Sequence, residues 1–329
     1  MADAWWAHRG RAMGSSVELR VLGPDDGAGH LRARTDDLLG RTERCWSRFD
    51  PTSALSVLNA DPAPEVEVPE LLAAAIRRAL LAWHVTGGAF DPTVHDALVV
   101  AGYDRTFELV ADRRVPAPPG RVVPGCAAVE VHGASGWGGT AQDELADGLA
   151  DRGTRAVVRR PPGLRLDLGG IGKGLAADLL VADLVAAGAR SVHVSLGGDV
   201  RVAGEVPAGG WPVPVVDPWD DGVLSTVVLD RPGAVVMSST RRRRWQTDDG
   251  GWAHHLIDPT TGRPAERGVA AVVVVAAEAW WAESLAKAAL VLGVEAGREL
   301  LRRHDAEGVI VRDDADRVEC WRSLSPGGR

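Results

Sequence analysis

The chain has 329 residues, 45% of them hydrophobic and 25% charged, with a formal net charge of −8 and a pI near 5.6. That composition is ordinary for a globular protein, and its acidic balance offers no general attraction to nucleic acid or anionic membrane, so an anionic ligand must be held locally. Cys45, Cys126 and Cys320 lie far apart with no CxxC pair, which signals neither a zinc site nor a disulfide framework.

No stretch approaches the roughly 18 uncharged apolar residues of a membrane span. Met1 to Arg9 holds neither a signal-length apolar core nor a lipidation cysteine, so a cytoplasmic protein is expected.

In chain order, Val17 to Leu22 alternates as a half-buried strand, after a flexible turn at Met13-Gly14-Ser15. Leu31, Leu38, Leu39, Trp46 and Phe49 recur at helical spacing, and the helix should end near Asp50-Pro51 because the residue before a proline resists helical angles. Pro69 can open a second helix whose face carries Leu72, Ile76, Leu80 and Trp83, stopped by Gly87-Gly88. Ala89 to Leu98 reads as a loop with an embedded carboxylate. Its neighbours His95 and Asp96 are weighed as an acid-base pair and set aside, since adjacent side chains seldom face one way. Residues 110 to 139 suggest short strands and loops without a chemical motif.

Leu166 to Gly174 is the densest signal: a β-favourable segment breaks into four glycines within six residues, admits Lys173, and turns into a helix from Leu175 to about Val185, with Gly188 as cap. Such a turn suits a phosphorylated ligand. It is not a Walker loop, since Asp167 and Gly174 hold the diagnostic places, and it is not a dinucleotide fingerprint, since Leu175 stands where a glycine is needed. Ser191 to Leu196 is a strand running into Gly197-Gly198-Asp199, and further strands follow at 223–229 and 234–237.

The run Arg241 to Arg244 reads as a solvated edge or a local anion clamp. His254-His255 lacks the HxxxH spacing that sets two imidazoles on one metal, and one of the two as general base is the better reading. Ala270 to Ala276 is a buried strand. Ala279 to Leu292 is a helix with Glu283 and Lys287 one turn apart, and another helix and strands at 308–311 and 318–321 close the chain.

Six segments in this order resemble the ApbE-like FAD:protein FMN transferases: Met13-Gly14-Ser15, Ser47 to Asn59, Gly88 to Val94, Asp167 to Gly174, Gly197-Gly198-Asp199 and His255 to Pro259. The resemblance covers about residues 12–295. It implies one α+β domain over residues 1–329, related to the T-fold, with mixed and antiparallel sheets, packed helices and room for two lobes. It implies magnesium-dependent transfer of FMN from FAD to a Thr or Ser hydroxyl of an acceptor flavoprotein, with AMP released. Two rivals stand beside it, a flavin carrier without catalysis and an FAD pyrophosphatase.

Carried over by similarity, His255 takes the proton of the acceptor hydroxyl. Met13, Ser47, Phe90 and Asp91 shape the flavin and adenine pockets, and Gly169, Gly170, Lys173, Gly198 and Asp199 belong to the cofactor site. The carbonyl of Gly172 matches a metal ligand. The family's remaining magnesium ligands, an Asp and a Thr four residues on, stand here as Glu283 and Lys287, and the family's Thr-Ser-Gly stands as Met237-Ser238-Ser239. The Glu-Lys pair reads either as an ordinary i,i+4 ion pair or as an ammonium replacing part of the metal's charge.

Overall fold

The computed structural model describes residues 3–24, 28–133, 154–220, 222–313 and 318–321. Its centre is an eight-stranded sheet: β1 (Asp3–Ala12), β2 (Ser15–Pro24), β3 (Ser191–Leu196), β4 (Asp199–Gly204), β5 (Gly233–Ser239), β6 (Val269–Ala276), β7 (Glu307–Arg312) and β8 (Val318–Trp321). Spatial order equals chain order, and every neighbouring pair is antiparallel. The α+β expectation holds.

Among the described residues seven α-helices lie in the connections: α1 (Ala28–Trp46), α2 (Ala54–Ala60), α3 (Glu70–Val85), α4 (His95–Val100), α5 (Gly172–Ala186), α6 (Ala279–Leu292) and α7 (Val294–Arg303). The first five fall between β2 and β3, the last two between β6 and β7. None of the described helices is long and apolar enough to cross a membrane.

Strand periodicity sorts the core into layers. Val17, Leu19 and Val21 of β2, Val192 and Val194 of β3, and Val272 and Val274 of β6 face the helices. Val200, Val202, Val235, Ala271 and Val273 face a two-stranded ribbon, Trp211–Val216 with Val223–Leu229. β6 is therefore covered on both sides, which explains its unbroken apolar run. A third cluster holds Leu98, Tyr103, Val115, Trp245 and Ile257.

Three local expectations are corrected, and a fourth is made specific. The first helix stops at Trp46, because the Ser47 hydroxyl accepts the amides of Phe49 (3.2 Å) and Asp50 (3.3 Å) and turns the chain early. Leu166 to Leu168 joins no sheet: the Asn59 side chain takes both backbone groups of Leu166 (2.8 Å each), and the Asp167 amide donates to the Pro92 carbonyl (2.7 Å). A side chain and a loop thus satisfy what a ladder would have satisfied. His95 to Val100 is a short helix, and His95 Nδ1 does meet Asp96 Oδ1 at 3.0 Å, in a cluster with Arg165. In residues 110–139 the strands are Arg114–Val115 and Glu130–Gly133, while 134–139 lie outside the described residues.

Two features dock α6 onto α5. A Cβ at Gly174 would come within 2.5 Å of the Trp280 amide nitrogen, so only glycine permits the crossing. The buried Asp178 carboxylate accepts the amides of Ala279 (3.0 Å) and Trp280 (2.9 Å) and Arg201 Nε (2.6 Å), capping α6 from a neighbouring helix. Replacing Asp178 by Ala strands the buried Arg201 and two amides, and is expected to lower stability by about 3–5 kcal/mol, measured by urea unfolding; a loss within experimental error contradicts this role.

Candidate functional site

The described residues enclose a cavity between the Leu166 to Gly174 turn, the end of α1, the loop before α4 and the segment after Arg243. Its wall has two characters. One side is aromatic and apolar, with Met13, Trp46, Phe49, Phe90 and Tyr103. There the Arg48 guanidinium lies over the rings of Phe49 (4.1 Å) and Tyr103 (4.5 Å), and Tyr103 stacks on Trp245 with centroids 5.6 Å apart. Arg48 Nε meets Asp167 Oδ2 at 2.7 Å, while Asp167 Oδ1 takes the Gly169 amide at 2.7 Å and fixes the glycine turn. Arg48 Nη2 is buried with no hydrogen-bond partner among the described residues.

The other side is cationic, with Lys173, Arg243 and Lys287. Lys173 opens α5 and pairs with Asp199 Oδ2; it also lies 3.5 Å from Glu283 Oε1. Lys287 Nζ donates to the same oxygen at 2.9 Å, and Glu283 Oε2 accepts the Gly174 amide at 2.8 Å. Glu283 is wholly buried. Burial opposes its ionisation, yet Lys287 and Lys173 prevail and hold the carboxyl down at about 2. Burial lowers Lys173 to about 8, against the pull of Glu283.

The two histidines separate cleanly. His254 is structural: Nε2 meets the Ala265 carbonyl at 3.1 Å and Nδ1 accepts the Leu256 amide at 3.2 Å. His255 follows the strand Trp252–His254 and lines the cavity, with Nδ1 unpartnered among the described residues. Burial, then the charge of Arg243, drives its pKa well below the usual histidine value, so the ring is neutral.

The cavity, the glycine turn and the His255 imidazole converge from segments far apart in sequence. A profile described as the ApbE family matches residues 13–310. The chain belongs to the ApbE family. It is 32% identical over 279 residues to an FAD:protein FMN transferase of Treponema pallidum, covering 80% of this chain and 72% of that protein. A second FAD:protein FMN transferase, from Salmonella typhimurium, is 26% identical over 320 residues, with 95% and 86% covered. The ApbE protein of Thermotoga maritima superposes with a TM-score of 0.76 at 28% identity, over 97% of each chain.

Of the residues expected in this ApbE site, Met13, Ser47, Phe90, Asp91, Gly169, Gly170, Gly172, Lys173, His255 and Lys287 line the cavity; Gly198, Asp199 and Glu283 do not. Asp199 and Glu283 reach it through the lysines they hold. Gly198 serves the β3–β4 turn with φ +94°, and open space surrounds it. Ser47 and Asp91 are committed locally: Asp91 Oδ1 accepts the Thr93 amide (2.7 Å) and hydroxyl (2.6 Å). Gly170 is required by packing, since a Cβ there would sit 2.9 Å from the Phe90 ring.

Sequence reasoning gave Arg243 no individual place. It adopts φ +48°, a conformation uncommon for a side-chain-bearing residue, and its Nη2 donates to Ser15 Oγ at 2.9 Å. Arg48 and Tyr103 carried no individual signal either.

The residues implied as the magnesium site do not fit that ion. Gly172 is the first residue of α5, so its carbonyl keeps one lone pair beside the helical hydrogen bond and offers at most a single ligand. Glu283 has both oxygens engaged, and Lys287 offers no lone pair. Among the described residues no group of three or more His, Cys, Asp or Glu side chains could hold a metal.

Because Glu283 titrates lower folded than its unfolded value of 4.5, its contribution is complete above that pH and lost as pH falls through about 2. Glu283→Gln is therefore expected to flatten the acid limb of a stability-versus-pH curve between 4.5 and 2; an unchanged slope contradicts the ionised assignment.

Proposed function

We propose that the protein transfers FMN from FAD to a Ser or Thr hydroxyl of an acceptor flavoprotein, releasing AMP. The observation that carries this reading is the cavity itself, which joins an aromatic wall, a cationic wall and one uncommitted neutral histidine. The names of the relatives, FAD:protein FMN transferases, support it.

The aromatic side suits a flat ring system, held by stacking on Phe49, Tyr103 or Phe90. The cationic side suits a diphosphate, whose cleavage concentrates negative charge on the transferred phosphoryl and on the leaving AMP. In the transfer, the acceptor hydroxyl oxygen bonds the FMN phosphorus, the anhydride bond to the AMP phosphate breaks with its electron pair leaving on AMP, and the hydroxyl proton passes to His255. A neutral imidazole can accept that proton; an imidazolium cannot. Lys173, Lys287 and Arg243 stabilise the charge that develops.

With FAD and a hydroxyl-bearing acceptor peptide, mass spectrometry should find the FMN adduct and equimolar AMP. His255→Ala should retain FAD and lose transfer by about 100-fold or more. FAD binding lost together with transfer overturns the role of His255; AMP without adduct points to hydrolysis in place of transfer.

A further inference from the structure

We infer that Lys173 and Lys287 form a built-in cation pair that takes the ligand's diphosphate without a divalent metal ion, a refinement that rests on the flavin-site reading above. The two carboxylates that hold these lysines, Glu283 and Asp199, have every oxygen occupied. Glu283 Oε1 carries Lys287 Nζ at 2.9 Å and Lys173 Nζ at 3.5 Å, and Glu283 Oε2 carries the Gly174 amide at 2.8 Å. Asp199 Oδ2 carries Lys173, and Asp199 Oδ1 accepts the Met237 amide at 3.2 Å. Magnesium demands oxygens at about 2.0–2.1 Å in near-octahedral array. To reach either carboxylate it would have to displace an ammonium or uncap α5.

Lys287 is also not an ordinary helix-surface partner of Glu283. Exposed i,i+4 pairs hold their charges in water and contribute little. Here the Glu283 side chain is 0% exposed and that of Lys287 14%, and Lys287 lines the cavity. Its Cδ lies 3.5 Å from the position a Cβ on Gly170 would take, so the stem runs along the glycine turn. Lys173 enters from the first turn of α5, where the helix dipole also favours an anion. Arg243 adds a third cation to the same wall of the cavity. The carboxylates hold the two ammonium groups at fixed spacing, as a metal would hold oxygens.

The test is an equilibrium titration of the full-length protein with FAD, once in EDTA and once in magnesium chloride, together with manganese binding followed by electron paramagnetic resonance. The pair predicts Kd values within about twofold of each other and no protein-bound manganese. Lys287→Gln should weaken FAD binding in EDTA by about tenfold or more, the loss of one charge-assisted hydrogen bond. Binding at least about tenfold tighter with magnesium, or stoichiometric manganese on the wild-type protein, overturns the cation pair alone. So does unchanged FAD affinity in Lys287→Gln. Absence of saturable FAD binding in both media overturns the flavin-site reading and the pair with it. The wild-type titration decides even if the variant does not fold.

Discussion

The site depends on how closely α6 crosses the first turn of α5. Gly174 lets the backbones approach where any Cβ would collide with the Trp280 amide. Asp178 then ties the start of α6 to α5 through two amide hydrogen bonds and a buried arginine. Only with the helices at this distance can Glu283 reach the Gly174 amide and share its charge between Lys173 and Lys287. Backbone sterics thus come first, and the electrostatics of the cavity follow from them.

Burial makes that electrostatic arrangement decisive. A carboxylate with no exposed surface is costly unless paired and hydrogen-bonded, and Glu283 is both. Removing either lysine leaves charge in a medium that screens it poorly, so the two ammonium groups and the carboxylate behave as one unit. The Arg48–Asp167 pair repeats the logic on the other wall: Asp167 shapes the glycine turn, Arg48 neutralises it, and the guanidinium face serves the aromatic side.

Much of this was legible in the amino-acid sequence. The alternation of β2, the valines of β6 and the helical face of α3 report burial directly, because periodicity and burial are the same fact seen twice. The glycine turn was visible because backbone freedom leaves a local mark; the choice of His255 over His254 came from the family resemblance, since only the fold shows which ring is committed. Arg243 and Tyr103 were not visible, since their importance comes from partners more than a hundred residues away, at Ser15 and Trp245. The Leu166 segment misled because its β-favourable residues are satisfied by Asn59, a partner no local pattern announces. The early end of α1 misled for the opposite reason: the proline rule named a boundary, and a serine hydroxyl three residues earlier set it first.

Lys287, fixed to Glu283, also bears on how such a site answers to its surroundings. A dissociable ion is present in proportion to its free concentration and can be withdrawn by any stronger chelator, including nucleotides that compete for it. An ammonium on a covalent tether is present once per molecule at every ionic composition. A site neutralised in this way is insulated from fluctuations in divalent-ion supply, and in exchange it loses that supply as a means of control.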